Sequence, residues 1–297
     1  MKLVVTGSSG LIGSALVREA EKKNIEVIKL VRRLPKEKNE SQWDPNKGIV
    51  DLEVLEKSTA IIHLAGAGVG DRRWTKKYKK EILNSRVNST ETLSNAIVNL
   101  RTPPSVFVSG SAMGFYGDTG DIAVDENAEL GEGFLSDVVF NWEFAAQRVR
   151  KNKIRVVHPR TGLVMSKRGG LLKKVLPIFR LGLGGKLGNG KQYWSYISLE
   201  DEIRAIFHLI EDVRLTGGVN LTNPNPVTNT EFTKALSSVV NKPAFFNVPS
   251  IALKIALGEF SIEALGSSRV LPSKLLASGF EFKHKDILST LNSALKY

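Results

Sequence analysis

The chain has 297 residues, 42% hydrophobic and 24% charged, which excludes a disordered chain and supports one large domain or two intertwined ones. The absence of cysteine excludes disulfides, thiolate nucleophiles and cysteine-held metals and makes a reducing cytoplasm the expected location. The net charge of +12 favours anionic ligands in general, while the lack of any apolar run near the ~20 residues of a membrane span, and a first residue that leads directly into a strand, argue against a membrane segment and a signal peptide.

The first thirteen residues carry the clearest pattern. The apolar run Leu3-Val4-Val5 leads into Gly7, Gly10 and Gly13, after which Leu11, Ile12, Ala15, Leu16 and Ala20 fall on one helical side. Strand, glycine turn and helix in this order open a dinucleotide-binding unit. Glycine allows the sharp turn, a close approach of backbone to pyrophosphate and tight seating of helix on strand. The helix N-terminus then offers free N–H groups and a partial positive charge.

A second strand pattern, 25–31, ends at Val31-Arg32-Arg33 with no acid beside it, and Glu26 sits at its far end. A carboxylate there would accept from a ribose 2′-OH and repel a 2′-phosphate, whereas guanidinium groups clamp the phosphate. Arg32 and Arg33 therefore select NADP(H). Further strand patterns at 60–64, 105–109 and 154–158 alternate with helical patterns at 11–23, 76–99 and 137–151, the last with Ser136-Asp137 as its N-cap. This alternation predicts an α/β fold, a Rossmann-type doubly wound parallel sheet. The basic stretch 72–80 reads, for its lysines, as a solvated helix face, and nucleic acid is not an expected partner. Beyond residue 165 the texture changes to a glycine-rich loop at 182–190, a helix at 201–211, the rigid loop Asn223-Pro224-Asn225-Pro226 and a helix capped by Thr230. The expected organisation is a nucleotide-binding domain over 1–165, to which 192–222 returns. Residues 166–191 and 223–297 then form a smaller, mainly helical substrate lobe.

Thr6-Gly7-Ser8-Ser9-Gly10-Leu11-Ile12-Gly13, with His63-Leu64-Ala65-Gly66, Arg72-Arg73-Trp74-Thr75, Ser85-Arg86-Val87, Ser109-Gly110-Ser111 through Asp118, Trp142-Glu143, Arg160-Thr161-Gly162, Gly184–Gly190 and Leu271–Leu275, spans nearly the whole chain. The chain thereby resembles the extended short-chain dehydrogenase/reductases, in the atypical branch called epimerase family proteins. The resemblance implies that Gly7, Ser8, Gly10, Leu11 and Ile12, within the turn that Ser9 and Gly13 complete, line the pyrophosphate. It further implies that Leu64, Ala65 and Gly66 border the adenosine, that Ser109 and Ser111 end a strand beside the nicotinamide, and that Arg160 and Gly162 lie near its carboxamide. Arg86, where relatives commonly carry asparagine, would place a permanent positive charge near the cofactor or an anionic substrate. Ser198 replaces a usual histidine. The superfamily's Tyr-x-x-x-Lys pair is missing: Trp142 and Ala146 stand at those positions by spacing, and neither an indole nor a methyl group performs that acid chemistry.

The remaining candidates for proton chemistry are Ser111 and Tyr116, with Tyr193 and Tyr196 as further tyrosines. Glu143 allows two readings, a raised-pKa acid or a partner for Arg or Lys. The four histidines form no metal-ligand pair, so no metal is expected, and no serine elbow is present for a hydrolase triad. The leading expectation is an NADP(H)-dependent oxidoreductase acting on a small anionic carbonyl or alcohol compound. The alternatives are a non-catalytic NADP(H) sensor or partner-binding protein, and a nucleotide-sugar epimerase with an unconventional acid.

Overall fold

In the computed structural model, which describes residues 1–296, seven strands run parallel: β1 (Lys2–Thr6), β2 (Glu26–Val31), β3 (Glu40–Asp44), β4 (Ala60–His63), β5 (Val106–Ser109), β6 (Arg155–Thr161) and β7 (Gly217–Leu221). Their order across the sheet is 3-2-1-4-5-6-7, with the short strand Ile49–Val50 antiparallel on the β3 edge. The central strands β4 and β5 are buried along their whole length, as continuous apolar runs in a sheet covered on both faces should be. Alternate residues divide between two cores. Leu3 and Val5 pack with helices α1 (Leu11–Lys22) and α4 (Leu199–Glu211), while Val4, Ile61 and Phe107 pack with α2 (Lys76–Ile97). Helix α3 (Phe134–Ala145) lies beside α2. The doubly wound parallel sheet is thus the observed architecture.

Three local expectations are corrected. Helix α3 begins at Phe134, after Gly133 at φ 110°, so Ser136 lies inside it. The Ser136 hydroxyl donates to the Gly114 and Glu132 carbonyls, a tertiary contact that sequence spacing does not reveal. The helical path also breaks at Ala146 before resuming over Gln147–Lys151. Thr228, in a capping box with Glu231, caps the helix Asn229–Val240, whereas the Thr230 hydroxyl donates to the Gly190 carbonyl at 2.9 Å. The polar segment Glu40–Asp44 forms a strand that carried no apolar signature.

A third core gathers the helices Gly170–Arg180, Asn229–Val240 and Ile287–Lys296 around Trp194 and Tyr196. A fourth joins Trp74, Tyr78, Ile82 and Val138 to Phe134 and Phe260. No helix among the described residues is long and apolar enough to cross a membrane, and no described group of His, Asp and Glu could hold a metal ion.

Candidate nucleotide-binding and catalytic site

The strand order reverses between β1 and β4, and in such sheets the ligand crevice opens at the C-terminal strand ends beside that point. The Gly7–Gly13 turn occupies this place. Gly7 has φ +67°, and a Cβ on it would stand 2.7 Å from the Leu64 carbonyl carbon. A Cβ on Gly13 would stand 2.2 Å from the Gly7 oxygen, so only glycine brings α1 this close to the turn. Gly10, exposed like Ser9, is the N-cap of α1, with no side-chain cap and no acid in the first turn. The first amides of α1 therefore face the crevice without a side-chain competitor, between half-buried Ser8, Leu11 and Ile12. This is the arrangement a diphosphate requires.

Opposite the turn, Leu64 and Ala65, just before Gly66, are held by a buried triad. Ser89 directs its proton to the Ser85 carbonyl at 2.6 Å, so His63 Nε2 donates to Ser89 Oγ at 2.9 Å. His63 Nδ1 then accepts from Thr6 Oγ1 at 2.7 Å, and Thr6 Oγ1 accepts from the amides of Leu64 and Ala65. Burial, reinforced by the Arg86 charge, holds the imidazole neutral down to about 3. Arg86 donates to the Ala67 and Ile82 carbonyls, and its guanidinium carbon lies 5.0 Å from the Trp142 ring centroid. Burial lowers its pKa to about 10. Trp142 itself covers Gly110, where a Cβ would meet the indole at 2.7 Å.

Arg32 and Arg33 follow β2, and both are exposed. Arg33 forks onto Glu40 at 2.7 and 2.8 Å, and the Lys36 amide donates to the same carboxylate at 2.7 Å. The Arg33 hydrogen bond is the main reason that Glu40 titrates down at about 2. The sequence carries no acid directly at the end of β2. The fold supplies one from the neighbouring strand, a signal that existed only as an unassigned Glu in a polar stretch.

Ser111 and Tyr116 are brought into one buried network, although neither touches the other. Ser111 Oγ donates to Glu143 Oε1 at 2.6 Å. Arg160 grips both Glu143 oxygens at 2.9 and 3.0 Å, and its third nitrogen donates to Tyr116 Oη at 2.9 Å. Tyr116 in turn donates to Asn220 Oδ1 at 2.8 Å. The Arg160 guanidinium carbon sits 3.4 Å from the Phe115 ring centroid. Its guanidinium also fills the space where a Cβ on Gly218 would stand, 2.6 Å from it. Of the two readings open for Glu143, the structure selects the partner of an arginine. Burial opposes its ionisation, but Arg160, His158 and Ser111 outweigh burial and leave the carboxyl below its ordinary value. Burial pushes the Tyr116 phenol up, against the pull of Arg160. A cavity of about 200 Å³ opens beside Glu143, His158, Arg160 and Gly218. Ser109 ends β5 with its hydroxyl buried and unpartnered. The Gly162 amide donates to the Leu221 carbonyl at 3.0 Å, seating the turn after β6 against β7. Tyr193 and Tyr196 lie apart from the network: Tyr193 stacks with Arg269, and Tyr196 is fully buried in the third core. Asn220, which completes the network, stands on a strand that carried no motif.

The fold and site define a member of the NAD dependent epimerase/dehydratase family, whose model matches residues 3–221, and the chain belongs to that family. A model for a domain of unknown function matches residues 248–294. An epimerase family protein of Mycobacterium bovis is 42% identical over 296 residues, covering 99% of this chain and 96% of the relative. Among solved structures, the human epimerase family protein SDR39U1 with NADPH superposes with a TM-score of 0.92 at 29% identity, covering 100% of this chain and 99% of that one. A nucleoside-diphosphate sugar epimerase of Corynebacterium glutamicum superposes with a TM-score of 0.83 at 31% identity, covering 99% of this chain and 58% of that one.

Proposed function

We propose that the chain binds NADP(H) and acts as an oxidoreductase on a small anionic carbonyl or alcohol compound. The observation that carries the cofactor reading is the unopposed N-terminus of α1 above the glycine turn, flanked by two arginines at the end of β2. The likeness to a human protein solved with NADPH supports it. Gly7 to Gly13 would hold the diphosphate, Leu64 to Gly66 the adenosine side, Arg32 and Arg33 the 2′-phosphate. Ser109, Arg86, Arg160 and Gly162 would border the nicotinamide half. The cofactor, when bound, supplies hydride exchange with a substrate carbon. Ser111 would meet the substrate oxygen. Because its own proton points to Glu143, it offers a lone pair to a substrate hydroxyl. Tyr116 would act through Arg160. The cations Arg72 and Arg86, with the basic glycine loop, motivate an anionic substrate.

The inward commitment of both hydroxyl protons, together with Trp142 and Ala146 at the usual acid positions, favours one further reading, a non-catalytic NADP(H) sensor. Titration of nicotinamide fluorescence followed by a carbonyl panel separates the two. NADPH oxidation that falls about 100-fold or more in Ser111→Ala supports the oxidoreductase. Tight NADPH binding with no turnover across the panel supports the sensor, and no binding defeats both.

A further inference from the structure

The contact between Arg33 and Glu40 bears on which dinucleotide the site prefers, and this inference rests on the cofactor reading above. Glu40 opens β3 in register with Lys29, two positions before Val31 ends β2. Its side chain is only 3% exposed. It receives two Arg33 N–H groups and the Lys36 amide, and Lys29 Nζ stands 3.9 Å away. Arg33, just past the end of β2, is thus tied to a side chain on the neighbouring strand. A second bond, from Arg33 to the Leu34 carbonyl, fixes it there at 2.8 Å. Its bidentate fork, the feature that makes arginine a phosphate ligand, is already filled by a carboxylate. Arg32, exposed at the end of the same strand, has no such counter-ion among the described residues.

We infer that Glu40 is a specificity-setting residue that holds Arg33 in reserve, so that Arg32 supplies the main contact to the 2′-phosphate. Glu40 competes with that phosphate for the Arg33 fork and lowers the preference for NADPH over NADH. The site is accordingly tuned to a moderate NADPH preference, and the carboxylate on β3 sets its size.

The test compares NADPH and NADH binding by fluorescence titration in wild type, Glu40→Gln, Arg32→Ala and the double variant Glu40→Gln/Arg33→Ala. Glu40→Gln is expected to tighten NADPH by about five- to tenfold, the order of one charge-assisted contact, and to leave NADH unchanged. Arg33→Ala in that background should cancel the gain, and Arg32→Ala should weaken NADPH about tenfold or more in the native background. Equal effects of Glu40→Gln on both dinucleotides, no effect, or weaker NADPH binding would overturn the inference while leaving the cofactor reading intact. Wild type that binds neither dinucleotide overturns both. Circular dichroism of Glu40→Gln and a milder Glu40→Asp variant, which keeps the charge and should retain native preference, separates a misfolded edge strand from a change in specificity.

Discussion

His63 shows how a single buried side chain can shape a ligand site without touching the ligand. Its neutral ring, bridging Thr6 and Ser89, fixes the amides of Leu64 and Ala65 against the glycine turn. Its folded pKa of about 3 lies below the ordinary histidine value of 6.5, so the unfolded chain binds the extra proton between those limits. The stability His63 contributes is therefore present above about pH 6.5 and lost as pH falls toward 3. His63→Gln should lower stability at neutral pH by about 1–3 kcal/mol, through lost buried hydrogen bonds, and flatten the acid limb of a melting series. Glu202 behaves in the opposite sense. Burial raises its carboxyl to about 8, against a single hydrogen bond from Thr161. Its contribution is full below about pH 4.5 and lost as pH rises through 8, so the native melting temperature is expected to fall between those limits and Glu202→Gln should remove that fall. An unchanged slope between about pH 4.5 and 8 would show that Glu202 is not protonated in the folded state. At the same scale, Glu143→Gln leaves buried Arg160 without its counter-charge and is expected to cost about 3 kcal/mol or more, measured by denaturant titration.

Helix α1 is the element on which the nucleotide reading rests. The glycines lie before it and in its first turn, and close backbone approach explains them: Gly7 faces the Leu64 carbonyl and Gly13 faces Gly7. Gly13→Ala should displace the helix from the turn, cost about 1–3 kcal/mol by overpacking and weaken NADPH by at least an order of magnitude in titration. Elements such as β1, β4 and β5 were legible because burial on both sheet faces writes a continuous apolar run into each. The starts of α3 and of the helix Asn229–Val240 were not. Ser136 and Thr230 are good capping residues whose hydroxyls instead reach the Gly114 and Gly190 carbonyls across the fold. Thr228 wins the cap because Glu231 returns a second bond to it. Strand β3 was missed because Glu40, Ser41 and Gln42 lie near the sheet edge, where pairing with β2 demands no apolar run.

Across the whole molecule, the segment after β4 is clasped to the C-terminal part of the chain. Trp74 stands 4.9 Å from the Phe134 ring and 5.4 Å from the Phe260 ring, centroid to centroid. Arg73 donates to the Ile255 carbonyl at 2.8 Å, and Lys79 pairs with Glu259. The motif Arg72-Arg73-Trp74-Thr75 thus serves in part as this clasp. Trp74→Ala should cost about 3–5 kcal/mol and lower the unfolding midpoint in denaturant. A stability loss below about 1 kcal/mol, from midpoint and slope together, would show that the clasp contributes little to holding these segments together.

The sequence by itself determined the doubly wound class, the glycine turn and the arginines at the end of β2. Each is local, either a periodicity within one element or the chemistry of residues at one strand end. Tertiary structure alone decided that Glu143 partners Arg160, that Asn220 completes the Tyr116 contact, and that Glu40 occupies Arg33. Those pairs join residues on different elements, and it is packing of the elements around the shared sheet that sets which buried charge meets which counter-charge.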